Sequence, residues 1–192
     1  MRYIRSLLKA CAFIIIASPL LPAQERSQPP SIDLQIKKML SLAKMDGVWQ
    51  GEAWTITPTG QRVEMTQTER VGPMLGGSIR VVEGRGFDAS DTVVFNAFAV
   101  ISFDTQKDQY AMRSYAQGRQ GDFAITVTDE GFSWTIPAGP ATIRYTAKIK
   151  DGAWLEYGER IVGEQQPVRF FEMSLKRIGD STWPASDAVP SK

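Results

Sequence analysis

Two glutamates stand among apolar residues on predicted strands, and they are the residues of this chain best suited to chemistry. Glu69 lies on the predicted strand 62–71, and Glu156 shares one face of its strand with Trp154 and Gly158. A carboxyl group removed from water must be paired or protonated, because an isolated charge is costly in a low-dielectric interior. Such a group can hold the polar end of a ligand or move a proton near neutral pH. The opposite register, with Glu156 in water, fits the same alternation.

The other candidate ligand-binding residues are arginines and aromatic residues on neighbouring strands. An inward arginine would meet an anionic group or pair with Glu156, although strand arginines are more often surface charges. Aromatic side chains would line the apolar part of a pocket, and they fit equally well as core. The predicted ligand-binding set is Glu69, Arg113, Tyr115, Trp134, Arg144, Tyr145, Trp154 and Glu156.

The chain contains no histidine, and this excludes several kinds of site. A Ser-His-Asp or Cys-His nucleophile cannot be built, and the single cysteine, Cys11, lies in an N-terminal segment expected to be removed. Carboxylate clusters with calcium-loop spacing are missing, and Gly76-Gly77 and Gly84-Arg85-Gly86 fit turns or bulges better than a phosphate loop. We therefore predict no metal site and no cofactor, and we assign no catalytic residue.

The first 23 residues have the pattern of a signal peptide. Arg2, Arg5 and Lys9 precede a largely apolar run over 10–21, which is too short for a membrane anchor, and Ala23 fits a cleavage point. We expect export to the periplasm or beyond, with no stable membrane span afterwards; an uncleaved anchor is the alternative. Loss of the three basic residues lowers the formal net charge from +1 to −2, which argues against nucleic-acid binding.

The remaining chain predicts a flexible leader, one helix, ten strands and a disordered tail. The leader is 24–30, apolar residues recur at helical spacing from Ser31 to Met45, and the tail is 179–192. Asp151-Gly152 is the strongest hairpin signal between strands. The predicted strands are 48–56, 62–71, 75–84, 92–103, 108–117, 121–128, 131–137, 141–150, 153–162 and 167–178.

Short connections between the strands predict an all-β, antiparallel, up-and-down arrangement of one domain over 31–178. Closing the ten strands into a barrel removes exposed edges, so we favour a barrel over an open sandwich. The segment 93–103 is apolar on both faces, so its outer side needs a cover. The helix is the candidate, either packed on that strand or placed at one end of the barrel as a lid or plug.

The tripeptide Gly47-Val48-Trp49 at the first strand, with Arg177 in the last, resembles the calycin group of lipocalins, fatty-acid-binding proteins and nitrobindin-type barrels. The segments 68–71, 75–77 and 101–104 further resemble uncharacterised bacterial lipocalin-like proteins. The resemblance covers 40–177 and implies a ligand-holding barrel. It also implies a structural clasp in which Arg177 lies across Trp49 at the closed end, by stacking on the indole. Nitrobindin-type barrels hold haem through a histidine, which this chain lacks, so haem is disfavoured.

These patterns favour an exported barrel that binds a small amphipathic or apolar molecule noncovalently in its interior. One alternative is an isomerase- or cyclase-type enzyme in which inward Glu156 or Glu69 moves a proton. The other is an interaction module whose barrel is filled with side chains. The sequence does not indicate the oligomeric state.

Overall fold

A computed structural model describes residues 32–183, and these form a closed antiparallel barrel behind one short helix. The sheet order is β1-β10-β9-β8-β7-β6-β5-β4-β3-β2, so each strand pairs with its sequence neighbours and the last strand pairs with the first. The predicted ten-stranded up-and-down barrel is confirmed, and the open sandwich is wrong. The elements are α1 (Ile32–Met39), a 3₁₀ turn (Leu40–Met45), β1 (Gly47–Ile56), β2 (Arg62–Met74), a second 3₁₀ turn (Leu75–Gly77), β3 (Ile79–Phe87), β4 (Val93–Asp104), β5 (Gln109–Ala116), β6 (Arg119–Val127), β7 (Gly131–Ala138), β8 (Ala141–Lys150), β9 (Ala153–Val162) and β10 (Val168–Gly179).

Two local features differ from the sequence prediction. The helix tightens into the 3₁₀ turn after Met39, and β2 continues through Pro73 before the chain turns at Leu75–Gly77. The turn falls there because Leu75, Gly76 and Gly77 all adopt positive φ, which two glycines allow without strain. Proline is tolerated at its position because β1 pairs with β2 only as far as Val71, so this part of β2 has one neighbour. The predicted signal peptide, leader and Ser31 cap lie outside the described residues.

The helical segment is a plug at one end of the barrel. Met39, Leu42 and Met45 are each at most 1% exposed and pack with Trp49 in the core. The segment is tied to the barrel by polar contacts, such as the 3.1 Å bond from Gln35 Nε2 to the carbonyl of Phe103. Burial of one apolar stripe of a short helix is what stabilises it, since its own hydrogen bonds are too few.

An ion pair between buried Arg80 and partly exposed Asp46 fixes the plug to the sheet. The side chain of Arg80 lies inside the barrel and is almost fully buried. Its Nε and Nη2 donate to the two carboxylate oxygens of Asp46 at 2.8 and 3.1 Å, and its Nη1 donates to the carbonyl of Met39. This fork geometry satisfies both charges and orients the chain where the plug enters β1.

The segment after β10 contacts the outer sides of β2 and β4 through Trp183. The Trp183 ring lies 6.1 Å from the Phe98 ring, and its Nε1 donates to Met74 Sδ at 3.4 Å. A Cβ placed on Gly72 would lie 3.1 Å from Trp183 Cβ, so the glycine makes room for this approach. Val81, on the same outer surface, is only 3% exposed. The rest of the predicted tail, 184–192, lies outside the described residues.

Candidate functional site

Strand alternation in the closed barrel divides the predicted site residues into an inward and an outward set. The inward set follows the same strand faces as the hydrophobic core, and the outward set shares faces with solvent-exposed polar residues. The structure turns Glu69, Trp134, Tyr145, Trp154 and Glu156 inward, and Arg113, Tyr115 and Arg144 outward.

The two outward arginines have partners of their own on the outer face. Arg113 Nη1 lies 2.9 Å from Asp122 on β6, and Arg144 Nη2 lies 2.8 Å from Glu159 on β9. Tyr115 accepts a 3.0 Å bond from Arg113 Nε and is 43% exposed. Neither arginine is therefore the partner of Glu156, and neither borders the interior.

The interior holds a polar centre built on two carboxyl groups. Gln67 Nε2 donates to Glu69 Oε1 at 2.8 Å, and Trp154 Nε1 donates to Glu156 Oε2 at 3.2 Å. The second bond places Glu156 on the inner face, which resolves the register that the alternation left open. Gln67, 2% exposed, was missed from the sequence. Gln67 lies two residues before Glu69, so the two side chains share one face of the strand. This spacing could have indicated that Gln67 also faces the interior.

Each carboxyl group retains one oxygen without a hydrogen-bond partner among the described residues. These are Oε2 of Glu69 and Oε1 of Glu156, since the bonds above involve the other two oxygens. Every side-chain oxygen or nitrogen that is sealed from solvent in the described part of the chain has a partner. The two oxygens therefore border interior space that a water molecule can reach.

Burial changes the ionisation of both carboxyl groups. It raises the pKa of Glu69 from 4.5 to about 8; the bond from Gln67 opposes this shift, and the nearby charge of Glu156 adds to it. Burial raises the pKa of Glu156 to about 7, against the opposing bond from Trp154. Near neutral pH the centre therefore exchanges protons readily, with Glu69 the more strongly protonated group.

Two glycines on β3 make room for this polar centre. A Cβ on Gly84 would lie 2.6 Å from Glu69 Oε1, and a Cβ on Gly86 would lie 2.5 Å from Met65 Sδ. Both positions are inward on β3. The register of β3 with β4 shifts between Gly86 and Phe87, so an irregularity of the predicted kind lies at Gly86, and Gly84 is a site of close side-chain approach. The side chains of β2 can thus lie flat across β3.

An aromatic wall leads from the polar centre toward the end opposite the plug. The rings of Trp134 and Tyr145 are stacked with centroids 4.4 Å apart, and Phe123 lies 4.9 Å from Trp134. Phe171 lies 6.0 Å from Tyr145. These four side chains point inward yet stay partly exposed, which places them at the open end. Burial, followed by the charge of Glu156, raises the pKa of Tyr145 to about 12, so its hydroxyl stays protonated.

The floor of the interior is formed by tryptophans at the plug. Trp49 and Trp154 meet edge to face at 5.6 Å, and Trp49 Nε1 donates to the carbonyl of Met45 at 2.8 Å. Arg177 is the register partner of Trp49, and its Nε donates to the carbonyl of Asp46 at 3.2 Å. Arg177 thus contacts the backbone at the plug junction, and the predicted stacking of its guanidinium on Trp49 is not among the cation–π contacts of residues 32–183.

Within 32–183, no group of three or more potential ligand residues is arranged to hold a metal ion. In the same range, no helix is long and apolar enough to cross a membrane.

Comparison with known proteins shows the fold. No family model and no curated protein matches the sequence. The structure resembles that of Rv2717c from M. tuberculosis, with a TM-score of 0.56 and 10% identity over 73% of this chain and 96% of that one. It also resembles the S-type phycobiliprotein lyase CPES from Guillardia theta, with a TM-score of 0.50 and 9% identity over 80% and 99% of the two chains. The chain therefore has a lipocalin-like barrel fold, as its sequence predicted.

Proposed function

We propose that the barrel binds a small amphipathic molecule noncovalently in its interior. The observation that carries this proposal is the partly exposed aromatic wall that ends at carboxyl oxygens without protein partners. Small-molecule sites typically combine a mostly apolar lining with a few convergent polar groups that fix orientation. The apolar body of the ligand would lie against Trp134 and Tyr145, and its polar end would reach Glu69 and Glu156.

Native mass spectrometry of gently purified protein, followed by titration with a panel of lipids and metabolites, tests this proposal. We expect a bound species or saturable uptake that quenches tryptophan fluorescence. Tyr145→Ala should weaken uptake about tenfold or more, because it removes one face of the wall. Tyr115→Ala removes the same side chain from the outer face and should leave uptake unchanged. Protein that purifies empty and takes up nothing from the panel would contradict the proposal.

A second candidate function is proton transfer, in an isomerase- or cyclase-type reaction. It is favoured by the two interior carboxyl groups whose pKa values lie near 8 and 7, where a group can act as acid or base at neutral pH. NMR titration of ¹³C-labelled glutamate carboxyls tests its basis. Two carboxyl resonances that titrate near neutral pH would support proton transfer. Glu69→Gln should remove one of these resonances, and Glu156→Gln should remove the other. Ordinary titration of both groups near pH 4 would remove it.

We also propose that the chain is exported and belongs with the calycin group. The basic and apolar pattern of 1–23 supports export, and Gly47-Val48-Trp49 with Arg177 supports calycin membership. Expression in a Gram-negative host, cell fractionation and N-terminal sequencing test export. We expect periplasmic protein that begins close to Gln24. Full-length protein confined to the cytoplasm would contradict it.

A further inference from the structure

The polar centre of the barrel offers acceptors to a ligand, and the protein supplies no cation to them. Among residues 32–183, neither Glu69 nor Glu156 has a Lys or Arg nitrogen within 4.0 Å, whereas ten other ion pairs are present. Arg80, the buried arginine of β3, is fully engaged with Asp46 and Met39 at the plug. The interior therefore carries two potential negative charges that lack a positive counterpart.

The free oxygen of Glu69 is the second observation. Its side chain is more than nine-tenths buried, since the residue is 8% exposed, and Gln67 occupies only Oε1. Oε2 borders water-accessible interior space, as does Oε1 of Glu156. Buried carboxylates that keep unbonded oxygens are costly unless a donor reaches them. A ligand that brings N–H donors and a positive charge would satisfy both oxygens at once.

The aromatic wall fits the same ligand. Tyr145 lies close enough to Glu156 for that charge to affect its own ionisation, and Trp134 is stacked on its ring. An ammonium group beside carboxylates and aromatic faces gains from ion pairing and from cation–π attraction. Arg113 and Arg144 pair with carboxylates on the outer face, so neither offers its charge to an anionic head group at this centre.

We propose that the ligand of the barrel is a protonated amine with an apolar body, held by its ammonium group between Glu69 and Glu156. This inference rests on the proposed function, since it assigns the chemical class of the molecule in the same interior site. Binding of the ammonium ion draws both carboxyl groups into their ionised form, and the displaced protons pass to the buffer.

Calorimetric titration with three probes of equal chain length, octylamine, octanol and octanoate, tests the assignment. We expect octylamine to bind about tenfold or more tightly than octanol near pH 8, and octanoate to bind most weakly. Titrations near pH 7 in buffers of different ionisation enthalpy should show proton release for octylamine and none for octanol. Octylamine affinity should rise as the pH increases from about 6 to about 8.5, because the carboxyl groups ionise.

Variants separate the amine assignment from the binding function. Glu156→Gln should weaken octylamine binding about tenfold and abolish part of the proton release, while octanol binding stays within about twofold. Glu159→Gln, on the outer face of the same strand, should behave like the natural protein. Octanol or octanoate binding as tightly as octylamine would overturn the amine assignment and leave interior binding intact. Failure of all three probes to bind or to change tryptophan fluorescence would overturn both.

Discussion

At the scale of single residues, the unusual feature of this barrel is that two inward glutamates, buried Glu69 and half-buried Glu156, have no cationic partner among residues 32–183. Gln67 and Trp154 each donate one hydrogen bond, which offsets only part of the cost of removing the carboxyl groups from water. Gly84 allows Glu69 to lie against β3, where any other residue would collide with it. The sequence thus keeps the carboxyl groups inside although a hydrocarbon would pack there at lower cost, which is typical of functional sites.

The raised pKa values predict that stability falls as pH rises. The folded-state pKa of Glu69, about 8, lies above its usual value of 4.5, so the folded protein binds more protons than the unfolded chain between these values. The free energy of unfolding should therefore decrease with increasing pH in this window, by up to about 1.4 kcal/mol per pH unit for each such group. Urea denaturation from about pH 5 to pH 9 measures this slope.

Glu69→Gln should flatten this slope, because glutamine does not ionise and keeps nearly the same shape. The variant should gain stability over the natural protein at pH 9 and differ least at pH 5. Glu159→Gln is the matched control, because Glu159 pairs with Arg144 on the outer face. This variant should keep the pH dependence of stability of the natural protein. Stability that is constant or that rises from pH 5 to pH 8 in the natural protein would contradict this prediction.

At the scale of elements, the plug is stabilised by apolar burial and positioned by one partly buried ion pair. The helix and 3₁₀ turn are too short to be stable alone, so Met39, Leu42 and Met45 hold them by burial. The bidentate contact of Arg80 with Asp46 then sets where the plug ends and β1 begins. The closed end therefore depends on both interactions together.

Arg80→Met should destabilise the protein by about 3 kcal/mol, because it leaves the Asp46 carboxylate and the Met39 carbonyl without their buried donor. Chemical denaturation measures the change, and the double variant with Asp46→Asn should recover part of it. Arg113→Met breaks an ion pair on the exposed face and should change stability little. Equal effects of the two arginine substitutions would show that the plug does not depend on this contact.

Most element bounds could be predicted from the sequence, whereas the inner face of each strand could be predicted only in part. The predicted bounds of β8 and β9 match the observed ones, because turn residues flank both strands. It does not say which phase is inside, so Glu156 stayed ambiguous until Trp154 and the barrel closure fixed it. Arg144 and Tyr145 are adjacent and must face opposite sides, so placing both in one pocket conflicted with the strand period.

Contacts between distant segments could not be predicted, because no local pattern encodes them. The bond between Arg80 and Asp46 spans 34 positions, and that between Trp183 and Met74 spans 109. A buried arginine has the same sequence appearance as a surface one, and a tryptophan in a polar tail resembles a loop residue. Only the order of the strands around the barrel brings these pairs together.

At the scale of the whole molecule, the barrel is closed by pairing β1 with β10 and then crossed on its outside by the segment that follows β10. Trp183 reaches the outer surface of β2 and β4, where it contacts Phe98 and Met74 and lies under the Arg70 guanidinium at 5.6 Å. This contact links the chain after the last strand to strands on the other side of the β1–β10 seam. Trp183 therefore links the segment after β10 to β2 and β4 on the outside of the barrel, across the β1–β10 seam.

Trp183→Ala should destabilise the folded barrel by about 2 kcal/mol, less than loss of a fully buried tryptophan because this ring is partly exposed. The substitution uncovers Gly72 and removes a contact across the β1–β10 seam, so it should mainly speed unfolding there. Chemical denaturation gives the stability change, and hydrogen exchange shows where it acts: protection should fall in β1, β10 and β2, and persist in β6 and β7. Thr182→Ala, at the exposed neighbouring position, should change neither measurement. If Trp183→Ala leaves stability unchanged, the segment after β10 contributes nothing to closure, and the seam is held by strand pairing and the plug alone.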